Sequence, residues 1–390
     1  MKFIEDLHLK NKTVLLRCDY NVPINDGIIT DDSKIVKSLK TINYLLEKNC
    51  KIIILSHLGR VKTEEDKLKN TLKPVATRLE ELLNEEVTFV FDAIGNGIPD
   101  DKRIILLENT RFFDYPEKRE SENDLDLAKE WAKLADLFVF DAFGSAHRAH
   151  ASTAGVSRYL PTGIGYLVKE ELNNLEKVEK NPKKPFVVIM GGAKVDDKIP
   201  LIKTLLYSCD NLLLGGGIAN SFIKAKGINV GKSLATDDES IIEELKMLLE
   251  LYKDKILLPV DVRVKSDENV LTKSINSVDA NDSILDIGGK TVNKYSSIIT
   301  EAETVFMNGT MGLFEEKEFQ NGTLHIFEEL TKVPVVVIGG GDTVAAVNVL
   351  GYSDKFILSS GGGASLEYIA KGKLEALEEI ERYDNEKISL

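Results

Sequence analysis

Residues 334–350 read PVVVIGGGDTVAAVNVL, and this stretch decides how the rest of the chain is interpreted. A short run of β-branched residues is followed by three glycines, and the glycines lead into a segment that suits a helix. A strand, a glycine turn and a helix in this order are typical of half of a βαβ unit. The stretch therefore predicts a parallel strand whose carboxyl end opens directly into a helix.

Similar apolar runs recur along the whole chain. They begin at residues 14, 51, 87, 103 and 137 in the first half, and at 185, 211, 255, 283, 304, 334 and 355 in the second. Longer amphipathic segments such as residues 74–84 and 239–252 lie between them and predict helices that cover sheets. A chain of 390 residues is long enough for two domains. The expected fold class is α/β, with two Rossmann-like lobes, each a parallel sheet covered by helices.

Composition and charge exclude several classes of protein. With 43% hydrophobic and 29% charged residues the chain is globular in composition. The net charge of −13 argues against a broad surface for nucleic acid or acidic membranes. Three cysteines without a CxxC pair indicate neither a disulfide framework nor a zinc site. Because a signal peptide and a long apolar run are also lacking, we expect a cytoplasmic protein with no membrane partner.

Polar residues in the first half fall where the predicted strands end. Ligands of open parallel sheets bind at the carboxyl ends of the strands, so these positions are candidates for a site. They are Arg17, Asp19, Asn21, His57, Arg60, Arg111, His147 and Arg148. Only ten of the 50 basic residues are arginine, and four of the ten lie here, which favours forked recognition of a phosphate or carboxylate. For a single arginine an internal ion pair remains an alternative, and for His57 a structural role.

The second half carries glycine clusters at the corresponding positions. They lie at 191–192, 215–217, 288–289, 339–341 and 361–363. Backbone without Cβ can approach a phosphate, and the start of a following helix presents free N–H groups to an anion. A tight turn is the alternative for any one cluster. Lys194 and Lys198 add positive charge, whereas Asp342 and Glu315 could hold a metal ion or a ribose hydroxyl.

Two other nucleotide motifs are rejected, and two charged segments are assigned no chemistry. GINVGKS at residue 227 is one residue short of a P-loop and follows a helical pattern. A GxGxxG motif does not follow any predicted strand, which argues against a nicotinamide-dependent dehydrogenase. The charged segments at residues 63–70 and 117–126 are interpreted as solvated loop or helix faces.

Nine strings in register resemble the motifs of the phosphoglycerate kinase family and span nearly the whole chain. They are RCDYNVP, ITDDSKI, SHLGR, ENTRF, DAFGSAHRAHAS, GGAKVDDKI, NGTMGLFE, IGGGDTVAAV and SSGGGASLEY. The resemblance implies reversible, magnesium-dependent phosphoryl transfer in glycolysis, between 1,3-bisphosphoglycerate with ADP and 3-phosphoglycerate with ATP. It also implies a monomer in which hinge closure brings the two substrates together.

The resemblance further implies domain limits and site residues. Residues 1–165 would bind phosphoglycerate, and residues 166–390 would bind the nucleotide. The second lobe would include an interdomain helix at about 166–182, and residues from about 375 to 390 would return to the first lobe. The implied substrate-binding residues are Asp19, Asn21, Lys34, His57, Arg60, Arg111 and Arg148. The implied nucleotide-binding residues are Lys194, Lys198, Asn308, Glu315, Gly340, Gly341, Asp342 and Thr343, with Asp342 near Mg²⁺. The implied catalytic residues are Lys34, Lys194, Gly361, Gly362 and Gly363.

Lys34 is a departure from the family pattern, because arginine usually stands at its place in ITDDSKI. Lysine keeps the positive charge but lacks the planar fork. Our hypothesis is that Lys34 still neutralises the phosphoryl group in transit. The alternative function is a catalytically weak, nucleotide-responsive binding protein on the same scaffold.

Overall fold

The computed structural model describes residues 1–359 and 361–388. The chain forms two compact units. The first contains residues 1–172 together with the described residues from 373 onward, and the second contains residues 173–372. Each unit has its own sheet, so each is described separately.

The first unit is built on a six-stranded parallel sheet. Its strands and the small hairpin beside it are β1 (Thr13–Cys18), β2 (Ile24–Asn25), β3 (Ile28–Ile29), β4 (Lys51–Leu55), β5 (Val87–Val90), β6 (Ile104–Leu107), β7 (Leu137–Asp141) and β8 (Thr162–Ile164). The sheet order is β5-β6-β4-β1-β7-β8, and every pair is parallel. The direction of progression reverses between β1 and β7, which is where α/β sheets bind ligands.

Six helices follow these strands. They are α1 (Ser33–Glu47), α2 (Glu64–Lys69), α3 (Lys73–Leu83), α4 (Ala93–Asn96), α5 (Leu125–Ala132) and α6 (Tyr166–Glu179). Helix α1 buries Ile35, Ile42 and Leu45, whose spacing of three and seven residues forms one apolar stripe. The stripe packs in the core that contains the buried Val14 and Leu16 of β1. Packing on one face fixes α1, whose first turn carries Lys34.

The second unit contains a second six-stranded parallel sheet. The strands of this unit, which also include those of a smaller sheet, are β9 (Phe186–Met190), β10 (Asn211–Leu214), β11 (Ile256–Leu257), β12 (Asp261–Ser266), β13 (Asn269–Ser274), β14 (Ser283–Ile287), β15 (Thr304–Asn308), β16 (Val335–Gly339) and β17 (Ile357–Leu358). The main sheet runs β11-β10-β9-β15-β16-β17, with all pairs parallel. Here the reversal lies between β9 and β15. The predicted fold class, two helix-covered parallel sheets, is confirmed.

Helices follow most of these strands as well. They are α7 (Ile199–Ser208), α8 (Gly216–Ala225), α9 (Glu239–Leu251), α10 (Gly289–Ile299), α11 (Asn321–Leu330), α12 (Gly341–Val349), α13 (Gly363–Lys371) and α14 (Glu375–Ile388). Helix α14 belongs to the first unit, where Ala376 N donates to Ala146 O at 3.0 Å.

The prediction for the apolar run at residue 283 was wrong in one respect. It forms β14, which pairs antiparallel with β12 in a separate three-stranded sheet, β13-β12-β14. Strands β12 and β13 form a hairpin whose turn contains Asp267 at φ +52°. A tight two-residue turn imposes antiparallel pairing, and this hairpin supplies the neighbour onto which β14 adds.

Candidate active site

Asp19 and Lys34 form an ion pair at the reversal point of the first sheet. Asp19 directly follows β1 and is only 7% exposed, and its Oδ2 lies 3.0 Å from Lys34 Nζ at the start of α1. Burial alone would raise the pKa of Asp19, but the positive charge of Lys34 holds that pKa below its usual value. The buried carboxylate therefore stays ionised and keeps the Lys34 ammonium in the loop region of the sheet.

Asn21 joins two of the predicted loops. Its side-chain oxygen accepts a hydrogen bond from Gly59 N at 3.0 Å, and its own N–H donates to Asp19 Oδ1 at 3.2 Å. Gly144, which follows β7, packs so closely on Asp19 that an added Cβ would lie 2.5 Å from Oδ2. The loops after three strands are thus held against one carboxylate.

Arg17 differs from the prediction, which placed it in a loop mouth. It lies inside β1, between β4 and β7, and is fully buried. Its Nε donates to Ser152 Oγ at 2.9 Å, one terminal nitrogen donates to Cys18 O, and the other lies 3.1 Å from His57 Nδ1. Each guanidinium nitrogen already has a protein acceptor, so the forked recognition expected of this arginine is wrong.

His57 is neutral at physiological pH. Burial and the positive charge of Arg17 lower its pKa to about 3. Arginine can only donate, so the 3.1 Å contact makes Nδ1 the acceptor, and the hydrogen of the neutral ring lies on Nε2. His57 can therefore donate a hydrogen bond to an anion through Nε2, but it is unsuited to accept a second proton and act as a general base.

The other three predicted arginines have different surroundings. Arg111 Nη1 pairs with Asp114 Oδ2 at 3.2 Å, while its buried Nε finds no acceptor among the described residues. Arg148 is exposed and donates from Nε to His147 Nε2 at 3.0 Å, and Arg60 is exposed. These three keep donors that an acidic ligand could use.

The prediction that residues 117–126 are a solvated face was wrong for Glu120. This side chain is fully buried and accepts hydrogen bonds from Ser152, from the hydroxyl at 2.5 Å and from the backbone N–H at 3.0 Å. Neither Glu120 nor Ser152 was singled out from the sequence. The string EKRESENDLD carries no local signal that singles out one glutamate, because its partner lies 32 residues further on.

His150 should make the protein sensitive to acid. It is 3% exposed, and burial together with the charge of Arg111 lowers its pKa to about 3. Between pH 7 and pH 5 this ring becomes protonated in the unfolded chain but stays neutral in the folded chain. The free energy of unfolding therefore falls as pH falls. His150→Gln should reduce that pH-dependent loss by about 2 kcal/mol, measured by urea unfolding at both pH values. His8→Gln, at an exposed histidine, is the control substitution. Parallel profiles for wild type and His150→Gln would contradict the assignment.

A cavity of about 490 Å³ lies at the reversal point of the second sheet. All eight residues predicted to bind the nucleotide line it: Lys194, Lys198, Asn308, Glu315, Gly340, Gly341, Asp342 and Thr343. They come from segments that follow β9, β15 and β16 and from the ends of those strands. The cavity also has apolar lining from Leu313 and Phe314, as a site for a flat ring would require.

Most glycines of the second unit allow neighbouring segments to pack closely, because an added Cβ would clash with them. An added Cβ at Gly191 would lie 2.1 Å from Thr310 O, and one at Gly217 would lie 2.1 Å from Ala193 O. At Gly288 it would meet the Asp261 carboxylate, which accepts hydrogen bonds from Lys290 N and Thr291 N at the start of α10. The start of α10 is therefore capped by a protein carboxylate, which agrees with the tight-turn alternative for this glycine cluster.

The start of α12 is different. Gly340 has φ +90°, and an added Cβ would lie 2.3 Å from Asn308 Nδ2, while Gly341 has open space where a Cβ would be. Asn308 donates to Gly339 O at 2.8 Å, and Thr343 Oγ1 accepts from Gly309 N at 2.6 Å. Asn308 and Thr343 therefore brace the glycine turn, which leaves the first N–H groups of α12 open to an anion.

Charged residues at the cavity are accessible. Lys194 and Asp342 are exposed, and Lys198 lies 3.8 Å from Asp197. Glu315 is exposed on the loop that follows β15.

Gly361, Gly362 and Gly363 are not among the described residues that line the cavity. Gly362 has φ +53° and caps α13, and neither Gly362 nor Gly363 has an atom within 4 Å of where a Cβ would stand. Helix α13 thus begins with open backbone, like α12. Ser360, in the same motif, lies outside the described residues.

Comparison with known proteins identifies the family. The family model "Phosphoglycerate kinase" matches residues 4–373. The chain belongs to the phosphoglycerate kinase family. The phosphoglycerate kinase of Macrococcus caseolyticus is 45% identical over 97% of this chain and 98% of its own length. That of Enterococcus faecalis is 46% identical, with the same shares covered.

Solved structures of the phosphoglycerate kinase family share the fold. The phosphoglycerate kinase of Coxiella burnetii is 38% identical, with a TM-score of 0.89 over 98% of this chain and 99% of that one. The match confirms the family predicted from the nine strings. Within the described residues, every helix is too short or too polar to cross a lipid bilayer.

Proposed function

We propose that this chain catalyses reversible phosphoryl transfer between 1,3-bisphosphoglycerate with ADP and 3-phosphoglycerate with ATP, as a step of glycolysis. The first unit binds the acid, and the cavity of the second unit binds the nucleotide. The observation that carries the proposal is the convergence of eight residues, taken from three separate motifs, on one cavity. We also propose that the protein acts as a monomer in the cytoplasm, in keeping with its family.

In the proposed acid site, positively charged and neutral hydrogen-bond donors together bind phosphoglycerate. Arg111 Nε, Arg60 and Arg148 bind the phosphate and carboxylate oxygens of phosphoglycerate, and guanidinium donors suit both groups. His57 contributes its Nε2–H. Asp19 and Asn21 act mainly as supports, because one pairs with Lys34 and the other bonds Gly59.

The reaction needs no general base. The attacking carboxylate of 3-phosphoglycerate is already ionised at neutral pH, so catalysis consists of alignment and charge neutralisation. A neutral His57, with a pKa of about 3, agrees with this division of labour. Lys34, Lys194 and the open N–H groups of α13 neutralise the oxygens of the transferring phosphoryl group.

Asp342 suits a magnesium ion that arrives with the nucleotide. The described residues contain no cluster of three or more His, Cys, Asp or Glu side chains that could hold a metal alone. Mg²⁺ in nucleotide sites is commonly held by one or two carboxylates together with substrate phosphates. Asp342, exposed in the first turn of α12, is such a carboxylate. Bound there, the ion would neutralise phosphate charge.

The groups that bind the acid and the nucleotide belong to different units, so transfer requires the units to bring their ligands together. We propose that this happens by hinge closure, with α6 as the connection between the units. Closure also excludes water, which would otherwise compete with the acid for the phosphoryl group.

A coupled assay tests the proposed activity. With 1,3-bisphosphoglycerate, ADP and Mg²⁺, we expect ATP formation at a rate typical of kinases, about 1–100 per second or faster. Calorimetric titration should show binding of ADP and none of NAD. Binding of ADP without turnover would contradict the proposal and support the catalytically weak binding protein, whereas binding of NAD would support a dehydrogenase.

A further inference from the structure

Three fully buried polar side chains lie behind His57 and have no role in the mechanism so far. They are Arg17 in β1, Glu120 in the loop before α5, and Ser152 after β7. Burying a charged group costs free energy unless a partner compensates it. Two such charges, joined through a buried hydroxyl and next to a residue proposed to bind substrate, therefore call for an explanation.

The three side chains form a continuous chain of hydrogen bonds that ends at His57. Ser152 Oγ donates to Glu120 Oε1 and accepts from Arg17 Nε at 2.9 Å. Arg17 then donates to His57 Nδ1 at 3.1 Å. A single hydroxyl hydrogen fixes the direction, because Ser152 must donate to the carboxylate in order to accept from the guanidinium.

Charge balance points the same way. Glu120 and Asp19 are the carboxylates whose charges act on Arg17, and Asp19 is already bound to Lys34. Burial raises the pKa of Glu120, but the charge of Arg17 and the two hydrogen bonds from Ser152 favour its ionised form. Glu120 is therefore the carboxylate left to balance Arg17. Without it, the guanidinium would be drawn toward Asp19, away from its contact with His57.

We propose that Glu120, acting through Ser152 and Arg17, is a positioning residue that holds the hydrogen of His57 on Nε2 for the acidic substrate. The proposal rests on the proposed function, since it assumes that His57 binds phosphoglycerate. Glu120 has no contact with the substrate in this account; it acts through the orientation of Arg17. If these hydrogen bonds are broken, some molecules carry the hydrogen on Nδ1 instead, and in those molecules His57 has no N–H to donate to the substrate.

Glu120→Gln tests the proposal with two independent readouts. Nitrogen-15 NMR of the imidazole should show the Nε2–H tautomer in the wild type and a mixture of tautomers in the variant. The KM for 3-phosphoglycerate should rise about tenfold with kcat little changed, because binding equally strong in ground and transition states is lost. The KM for ATP should stay within about twofold, since ATP binds in the other unit.

Ser152→Ala is the second variant, because it breaks the chain while leaving both charges in place. It should shift the tautomer and the KM in the same direction, and it keeps the test available if Glu120→Gln does not fold. Asp282→Asn is the matched control. Asp282 is also fully buried and ion-paired, with Lys273 at 2.7 Å, but it lies in the second unit.

The control should lose stability without a change in the KM for 3-phosphoglycerate or in the tautomer of His57. An unchanged Nε2–H tautomer in folded Glu120→Gln or Ser152→Ala would overturn the proposal. An equal rise in the KM for both substrates would do the same, because it would indicate general loosening. The NMR measurement needs no turnover. Failure of the proposed activity would appear as an inactive wild type, and it can therefore be told apart from failure of the positioning role of Glu120.

Discussion

Replacement of Lys194 by Ala should lower kcat about 100- to 1000-fold and leave the fold intact. In sites that stabilise developing charge, removal of one donor costs about this much. Lys194 is exposed at the cavity of the second unit and makes no hydrogen bond or ion pair with another described residue, so the folded state does not depend on it. Single-turnover measurement of the chemical step is the appropriate assay.

Lys253→Ala is the control for this prediction. Lys253 is an exposed lysine of the same unit that does not line the cavity. Its loss changes the net charge equally and should leave kcat unchanged. Equal, small effects of the two substitutions would show that Lys194 is not needed at the transferring phosphoryl group.

Replacement of Lys34 by Ala should have the second large effect, a fall in kcat of about 100-fold or more. The KM for 3-phosphoglycerate should also rise, because Asp19 would be left as a buried carboxylate without its partner. The affinity for ADP, measured by calorimetry, should not change, since the proposed nucleotide site lies in the second unit.

Two further substitutions test whether the charge and the position of Lys34 are what matters. Lys34→Arg keeps the charge and restores a planar fork, so turnover should equal or exceed that of the wild type. Lys37→Ala removes an exposed lysine from the same helix and should have no effect. Near-normal turnover of Lys34→Ala would mean that another cation neutralises the phosphoryl group.

The sequence was sufficient to predict the parallel sheets, because their strands are dense apolar runs with helical segments between them. The run KIIIL became β4 and VTFV became β5, and the predicted helix at 239–252 became α9. The antiparallel sheet was missed, since β12 alternates buried Val262 and Val264 with polar residues and forms no continuous run. For β14, an apolar run gives no information about the direction of its neighbour.

The gathering of the eight proposed nucleotide-binding residues at one cavity could be predicted because they belong to contiguous motifs at strand ends. Arg17 could not be assigned correctly from its motif. Its burial depends on Ser152, 135 residues away, and on Glu120, and local sequence does not contain such contacts. The same limit applies to Gly288, whose turn is occupied by the carboxylate of Asp261.

Crystals grown with 3-phosphoglycerate and with Mg²⁺ and ADP provide the most direct test of the central claim. We predict 3-phosphoglycerate bound to His57 and Arg111 in the first unit, and ADP in the second, with its phosphates at the start of α12. Both ligands within one unit, or ADP bound away from Gly341 and Asp342, would contradict the account.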